Sequence, residues 1–161
     1  MEILARRAPP LGNQIPIERQ AEAVDCLSHV AAVGFYQDVF GFDLSVESNE
    51  EGRAFAFLTQ NNAIVLTLWQ QSDGTFAADK AGLHHLSFQV DSIEEVKKAE
   101  QRLQQLGAVI HYGGVTAHAE GAASGGVFFE DPDGIRLEIF APTGASQSPA
   151  PKSGAPACGF F

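Results

Sequence analysis

Residues 42–47, 53–59 and 63–69 form alternating or wholly apolar runs, and polar stretches at 48–52 and 60–62 divide them. That pattern predicts a three-strand meander. Ahead of it, residues 28–40 read as a helix, with Val30, Val33 and Phe40 on one side and Gly41 as its stop. A loop at 71–82 leads to a strand over 83–90, where Leu86, Phe88 and Val90 face one way and His85, Ser87 and Gln89 the other. A second helix follows. Ser92 caps it, Glu95 completes a capping box, and Gly107 ends it. Ile93, Val96, Ala99, Leu103 and Leu106 form its buried stripe. Strands are then expected at 108–112, 127–130 and 135–140, the last two joined by Asp131-Pro132-Asp133-Gly134, a type I turn sequence.

The order is therefore β-α-β-β-β, a loop, and β-α-β-β-β. Phe40-Gly41-Phe42 leaves the first helix as Leu106-Gly107-Ala108 leaves the second, and Leu66-Thr67-Leu68-Trp69 answers Leu137-Glu138-Ile139-Phe140. This is a degenerate internal duplication, and each half alone is too small to bury its sheet.

Composition narrows the classes of function. The chain has 161 residues, 45% of them hydrophobic and 19% charged, which suits one domain or two very small ones. Its net charge of −10, with no basic run longer than two residues, argues against nucleic acid and anionic membrane as partners and would steer a cation inward. No apolar stretch approaches the roughly 18–20 residues that span a bilayer, and the first residues lack the charge-then-apolar order of a signal peptide. Cys26 and Cys158 are the two cysteines, too few for a disulfide framework or a Cys-rich zinc site. A cytoplasmic location is expected. Residues 1–19 form an N-terminal extension, and 142–161 are rich in Pro, Gly, Ser and Ala and read as a flexible tail. The domain proper spans 20–141, with module one at 20–70 and module two at 83–141.

Three segments carry a family resemblance. Phe35-Tyr36-Gln37-Asp38-Val39-Phe40-Gly41-Phe42, Gly82-Leu83-His84-His85-Leu86-Ser87-Phe88-Gln89-Val90-Asp91 and Phe129-Glu130-Asp131-Pro132-Asp133-Gly134-Ile135-Arg136-Leu137-Glu138 stand in order. They resemble the helix end, the second-module opening and the closing hairpin of the vicinal oxygen chelate superfamily, which includes glyoxalases, bleomycin-resistance proteins and extradiol dioxygenases. The resemblance implies an α+β fold, two βαβββ modules forming a curved, cup-shaped mixed sheet around a ligand. In the family's metal enzymes it further implies four His or Glu ligands, two per module, around a divalent Lewis acid. His85 and Glu138 match the two ligand positions of the second module. In the first module Thr67 falls at the last-strand position, and the first-strand position falls near Ala21, with Gln20 and Glu22 beside it.

Two readings follow. In the first, the protein binds a small aromatic or cationic molecule without any cofactor, as bleomycin-binding members do, and Thr67, Trp69, His85, Ser87, Arg136 and Glu138 line the cup. In the second it is a glyoxalase-type lyase, an isomerase or a ring-cleaving dioxygenase. Such an enzyme would hold Fe, Mn, Ni or Zn with His85, Glu138 and a third ligand from Glu22, His118 or Glu120. A small-molecule ligand and a homodimer are expected in both. An accessory domain whose tails bind a partner is a further alternative. His111, His118 and Glu120 lie in or beside the Gly-rich stretch 113–126, which is either an exposed loop or a flap that supplies a ligand or a general base. His84 is expected outside, Glu130 and Asp131 at a turn, and Trp69 either on the binding surface or under a helix. No phosphate loop and no Ser or Cys nucleophile motif is present.

Overall fold

The structure, a computed structural model, describes residues 21–150. These divide into two compact units, one holding 21–77 together with Pro132–Gly134, the other holding 78–131 and 135–150. Each contains a four-stranded mixed sheet and one helix.

The first unit runs β1 (Glu22–Asp25), α1 (His29–Phe40), β2 (Asp43–Ser48), β3 (Phe55–Gln60) and β4 (Ala63–Trp69). Its strand order is β1-β4-β3-β2, with β1 parallel to β4 and the other pairs antiparallel. Asn61 and Asn62 both take positive φ, 52° and 61°, as a two-residue hairpin turn that follows strand twist requires. Ser28 caps α1 by accepting from the Ala31 N–H, and Gly41 ends it in the left-handed conformation at φ 71°. The buried stripe of α1 is Ala32, Val33, Tyr36, Val39 and Phe40. Val30, expected in that stripe, is 46% exposed, because one helical step of about 100° carries it past the edge of the apolar face. His29 is buried at the helix start instead. Its Nδ1 lies 2.9 Å from Gln70 Oε1 and its Nε2 2.9 Å from Asn49 Oδ1. Strand alternation places Ala56, Leu58, Leu66 and Leu68 in the core and leaves Phe55, Phe57, Thr67 and Trp69 half-buried.

The second unit runs β5 (Leu86–Gln89), α2 (Ile93–Leu106), β6 (Thr116–Ala117), β7 (Gly125–Glu130) and β8 (Arg136–Ala141), in the strand order β5-β8-β7-β6. As in the first unit, the opening strand pairs in parallel with the closing one. The Ser92 hydroxyl accepts from the Glu95 N–H, while the Glu95 carboxylate accepts from the Asp91 N–H at 3.2 Å, one residue before the usual capping-box donor. Ile93, Val96, Ala99 and Leu103 are buried as the stripe predicts. Leu106 is not. At 43% exposed it lies in the last turn, beyond the reach of the sheet.

Four other expectations are corrected. Residues 108–112 form no strand: only the bridge Ile110–Phe129 survives, since Tyr112, Gly113 and Gly114 all take positive φ and turn the chain away. The edge strand is β6, inside the Gly-rich stretch 113–126, where the sequence pattern predicts no strand. Leu83 to His85 precede β5 rather than open it, and Leu83 is 45% exposed. The start of the expected tail, 142–150, lies on the second unit. Ala145 is fully buried and donates to the Ala123 carbonyl at 2.8 Å, and the Ala117 N–H donates to the Pro149 carbonyl at 2.7 Å. The N-terminal extension and 151–161, with Gln20 and Cys158, lie outside the described residues.

Candidate functional site

The register of the second sheet puts Ser87 beside Glu138 and Phe128 on its other side, so three strands contribute to one row. Glu138 is 5% exposed, a carboxylate buried on a β-strand. Room for it comes from β7. A Cβ at Gly126 would fall 3.0 Å from Glu138 Oε1 and 2.7 Å from the Ile139 carbonyl, so only glycine fits there.

Such a carboxylate needs donors, and it has them. His118 Nε2 lies 2.6 Å from Oε1, His85 Nε2 lies 3.3 Å from Oε2, and the Ser87 hydroxyl also donates to Oε2. Burial alone pushes the Glu138 carboxyl up, but the hydrogen bonds from His118, His85 and Ser87 outweigh burial and lower it to about 2. It is therefore ionised at neutral pH and can only accept, which places a proton on each histidine's Nε2. A neutral imidazole so fixed presents Nδ1 as a base. His118 Nδ1 lies 2.9 Å from Ser124 Oγ, and His85 Nδ1 lies 2.8 Å from Nδ1 of the exposed His84, where one ring must donate. The rings of Phe128 and Phe140, centred 6.1 and 5.9 Å from that of His118, hold it in place.

The first unit offers a different surface. Phe55, Phe57 and Trp69 cluster on the half-buried side of β3 and β4, with ring centroids 5.0–5.8 Å apart. Trp69 is thus on the sheet face opposite the buried leucines. Its indole N–H donates to Thr67 Oγ1 at 3.1 Å, and Thr67 donates to the Glu22 carbonyl at 3.3 Å.

Of the residues singled out in the sequence, His85, Ser87, Glu138 and His118 come together. Thr67 and Trp69 adjoin one another in the first unit, where Glu22 is half-buried on β1. Glu120 is exposed, and Arg136 is half-buried, opposite Glu130 in the ladder. Glu130 pairs with His111 at 3.0 Å, and Asp131 is a buried turn residue whose carboxylate accepts from the Ile135 N–H. Ser124 was not singled out. The sequence signal for it is faint, a polar pair six residues apart in a stretch that folds as a hairpin.

A divalent ion, which the resemblance implies for metal enzymes of this kind, finds no assembled donor set among the described residues. Imidazole and carboxylate are suitable donor types, but Nε2 of each histidine faces a carboxylate oxygen and is hydrogen-bonded to it. Among the described residues no three His, Cys, Asp or Glu side chains are arranged to hold a metal ion. No helix is long and apolar enough to cross a membrane among these residues.

Comparison with known proteins gives the fold a context. A family model, the Glyoxalase/Bleomycin resistance protein/Dioxygenase superfamily, matches residues 29–139. No curated protein matches the sequence. Among solved structures, a glyoxylase/bleomycin resistance protein/dioxygenase domain from Frankia sp. EAN1pec is 20% identical, with a TM-score of 0.66 over 77% of this chain and 96% of that one. Lactoylglutathione lyase from Agrobacterium tumefaciens is 23% identical, TM-score 0.58, over 78% and 94%. The fosfomycin resistance protein FosX from Listeria monocytogenes, complexed with Mn(II) and sulfate, is 16% identical, TM-score 0.58, over 81% and 95%. These likenesses establish the α+β fold of two βαβββ modules.

Proposed function

The chain belongs to the glyoxalase/bleomycin resistance protein/dioxygenase superfamily, and from that membership we propose that it binds a small aromatic or cationic organic molecule without a metal ion. The observation that carries this reading is the half-buried cluster of Phe55, Phe57 and Trp69. Aromatic faces attract planar rings and organic cations, each such contact contributing about 0.5–2 kcal/mol. The net charge of −10 raises the local concentration of a cation. Metal independence is supported by Thr67, whose hydroxyl is bonded within its own sheet, and by the Glu138 carboxylate, which three side chains already occupy.

The test uses Trp69, the single tryptophan. Titration with an aromatic quaternary ammonium probe is expected to quench or shift its emission, to the same extent in excess chelator. Emission unmoved by a probe that calorimetry shows to bind would overturn the assignment of this surface. The second reading, a metal-dependent lyase or dioxygenase, draws on the Mn(II) in the FosX structure and on the donor types of His85, His118 and Glu138. Loss of probe binding in chelator would favour it.

A further inference from the structure

We propose that Ser124 is a nucleophile, activated by His118, and that this chain transfers the acyl group of small carboxylic esters to water. The proposal goes beyond the binding role above and stands on the β6–β7 hairpin together with Glu138 of β8. The His118 N–H donates to the Ser124 carbonyl at 3.1 Å, which puts the two residues opposite each other where the hairpin opens. Their side chains meet on the same side, Ser124 Oγ 2.9 Å from His118 Nδ1, and His118 Nε2 lies 2.6 Å from Glu138 Oε1. Hydroxyl, imidazole and buried carboxylate stand in series. That is the arrangement in which a carboxylate orients a base and the base takes the proton of a nucleophile.

The polarity of the series is fixed by chemistry. Glu138 can only accept, so Nε2 of His118 carries the proton and the Nδ1 lone pair faces the serine. Either imidazole nitrogen can serve as the base, because the ring passes charge between them. Burial separates the two ends of the series. The Glu138 side chain is 7% exposed, whereas His118, at 21%, and Ser124 are both half-buried, so the carboxylate is the shielded end. The half-buried Phe140 ring beside His118 favours an acyl group with apolar bulk. No sequence motif announces the arrangement, because the three residues come from two arms of a hairpin and a third strand.

In the first step the Oγ–acyl carbon bond forms, the ester carbon–oxygen bond breaks, and the Ser124 proton passes through His118 Nδ1 to the departing alcohol. In the second, water adds to the acyl carbon, its proton passes through His118, and the carboxylic acid leaves as Ser124 Oγ regains a hydrogen. No redox partner is needed.

The full chain is incubated with a fluorophosphonate probe and examined by intact mass and peptide mapping. One equivalent on Ser124, lost in Ser124→Ala, is expected, with the labelling rate falling about 10²–10⁴-fold in His118→Ala. p-Nitrophenyl acetate is expected to show an acylation burst that disappears in both variants. Glu138 is a positioning residue, and Glu138→Gln is expected to remove the downfield imidazole N–H resonance of His118 while slowing labelling. Should His118→Ala melt early, Ser124→Cys asks the same question in an intact site, because the introduced thiol should react with iodoacetamide faster than the buried Cys26. An unlabelled wild type, a label on another residue, or a rate unchanged in folded His118→Ala overturns the proposal.

Discussion

Thr67 and Glu138 hold the same position in the two units. Each lies on the strand that pairs in parallel with its unit's opening strand, Thr67 opposite Ala23 and Glu138 opposite Ser87. The duplicated backbone thus carries a neutral hydroxyl in one copy and a buried carboxylate in the other.

Purified protein is accordingly expected to contain well under one equivalent of Fe, Mn, Ni or Zn by elemental analysis. Stoichiometric metal that vanishes in His85→Ala would reverse the binding reading and promote the metal enzyme.

Stability should fall in acid with a contribution from Glu138. Its carboxyl titrates at about 2 in the folded chain against an ordinary 4.5, so it stabilises the fold above about pH 4.5. That contribution, about 3 kcal/mol, is lost as pH drops from 4.5 towards 2. Glu138→Gln is expected to destabilise the chain at pH 7 and to flatten this slope. Denaturant melts at a series of pH values measure both effects, and an unchanged slope would contradict the hydrogen-bonded carboxylate.

Two glycines should fail for different reasons. Gly107 ends α2 at φ 67° with nothing near an added Cβ, so Gly107→Val carries the backbone cost alone, about 1–2 kcal/mol. Gly126→Ala collides with Ile139 and Glu138 and is expected to cost about 1–3 kcal/mol. Gly107→Asn should recover part of the first loss, whereas no side chain rescues the second. Melting temperatures decide both.

Truncation after Ala141 should destabilise the chain relative to truncation after Ala150. The shorter form loses the buried Ala145 and its bond to Ala123, together with the Pro149 acceptor of Ala117. Equal melting temperatures would argue that 142–150 contribute nothing.

The sequence by itself determined most of the secondary structure. Ser28 and Gly41, like Ser92 and Gly107, bound helices through local hydrogen bonds and backbone freedom that neighbours in the chain supply. The duplicated order and the strand faces that carry Ser87 and Glu138 were legible for the same reason, since strand period is a local property. Tertiary structure decided what alternation cannot express. It placed β6 inside a Gly-rich stretch, laid 142–150 on the second unit, and carried His118 from a hairpin to Glu138. A buried carboxylate must find donors wherever the fold brings them, and these came from two segments of the chain, His85 and Ser87 from one and His118 from the other. The pairing of Ser124 with His118 belongs to the same class: a six-residue separation says nothing until the hairpin register sets the two side chains 2.9 Å apart.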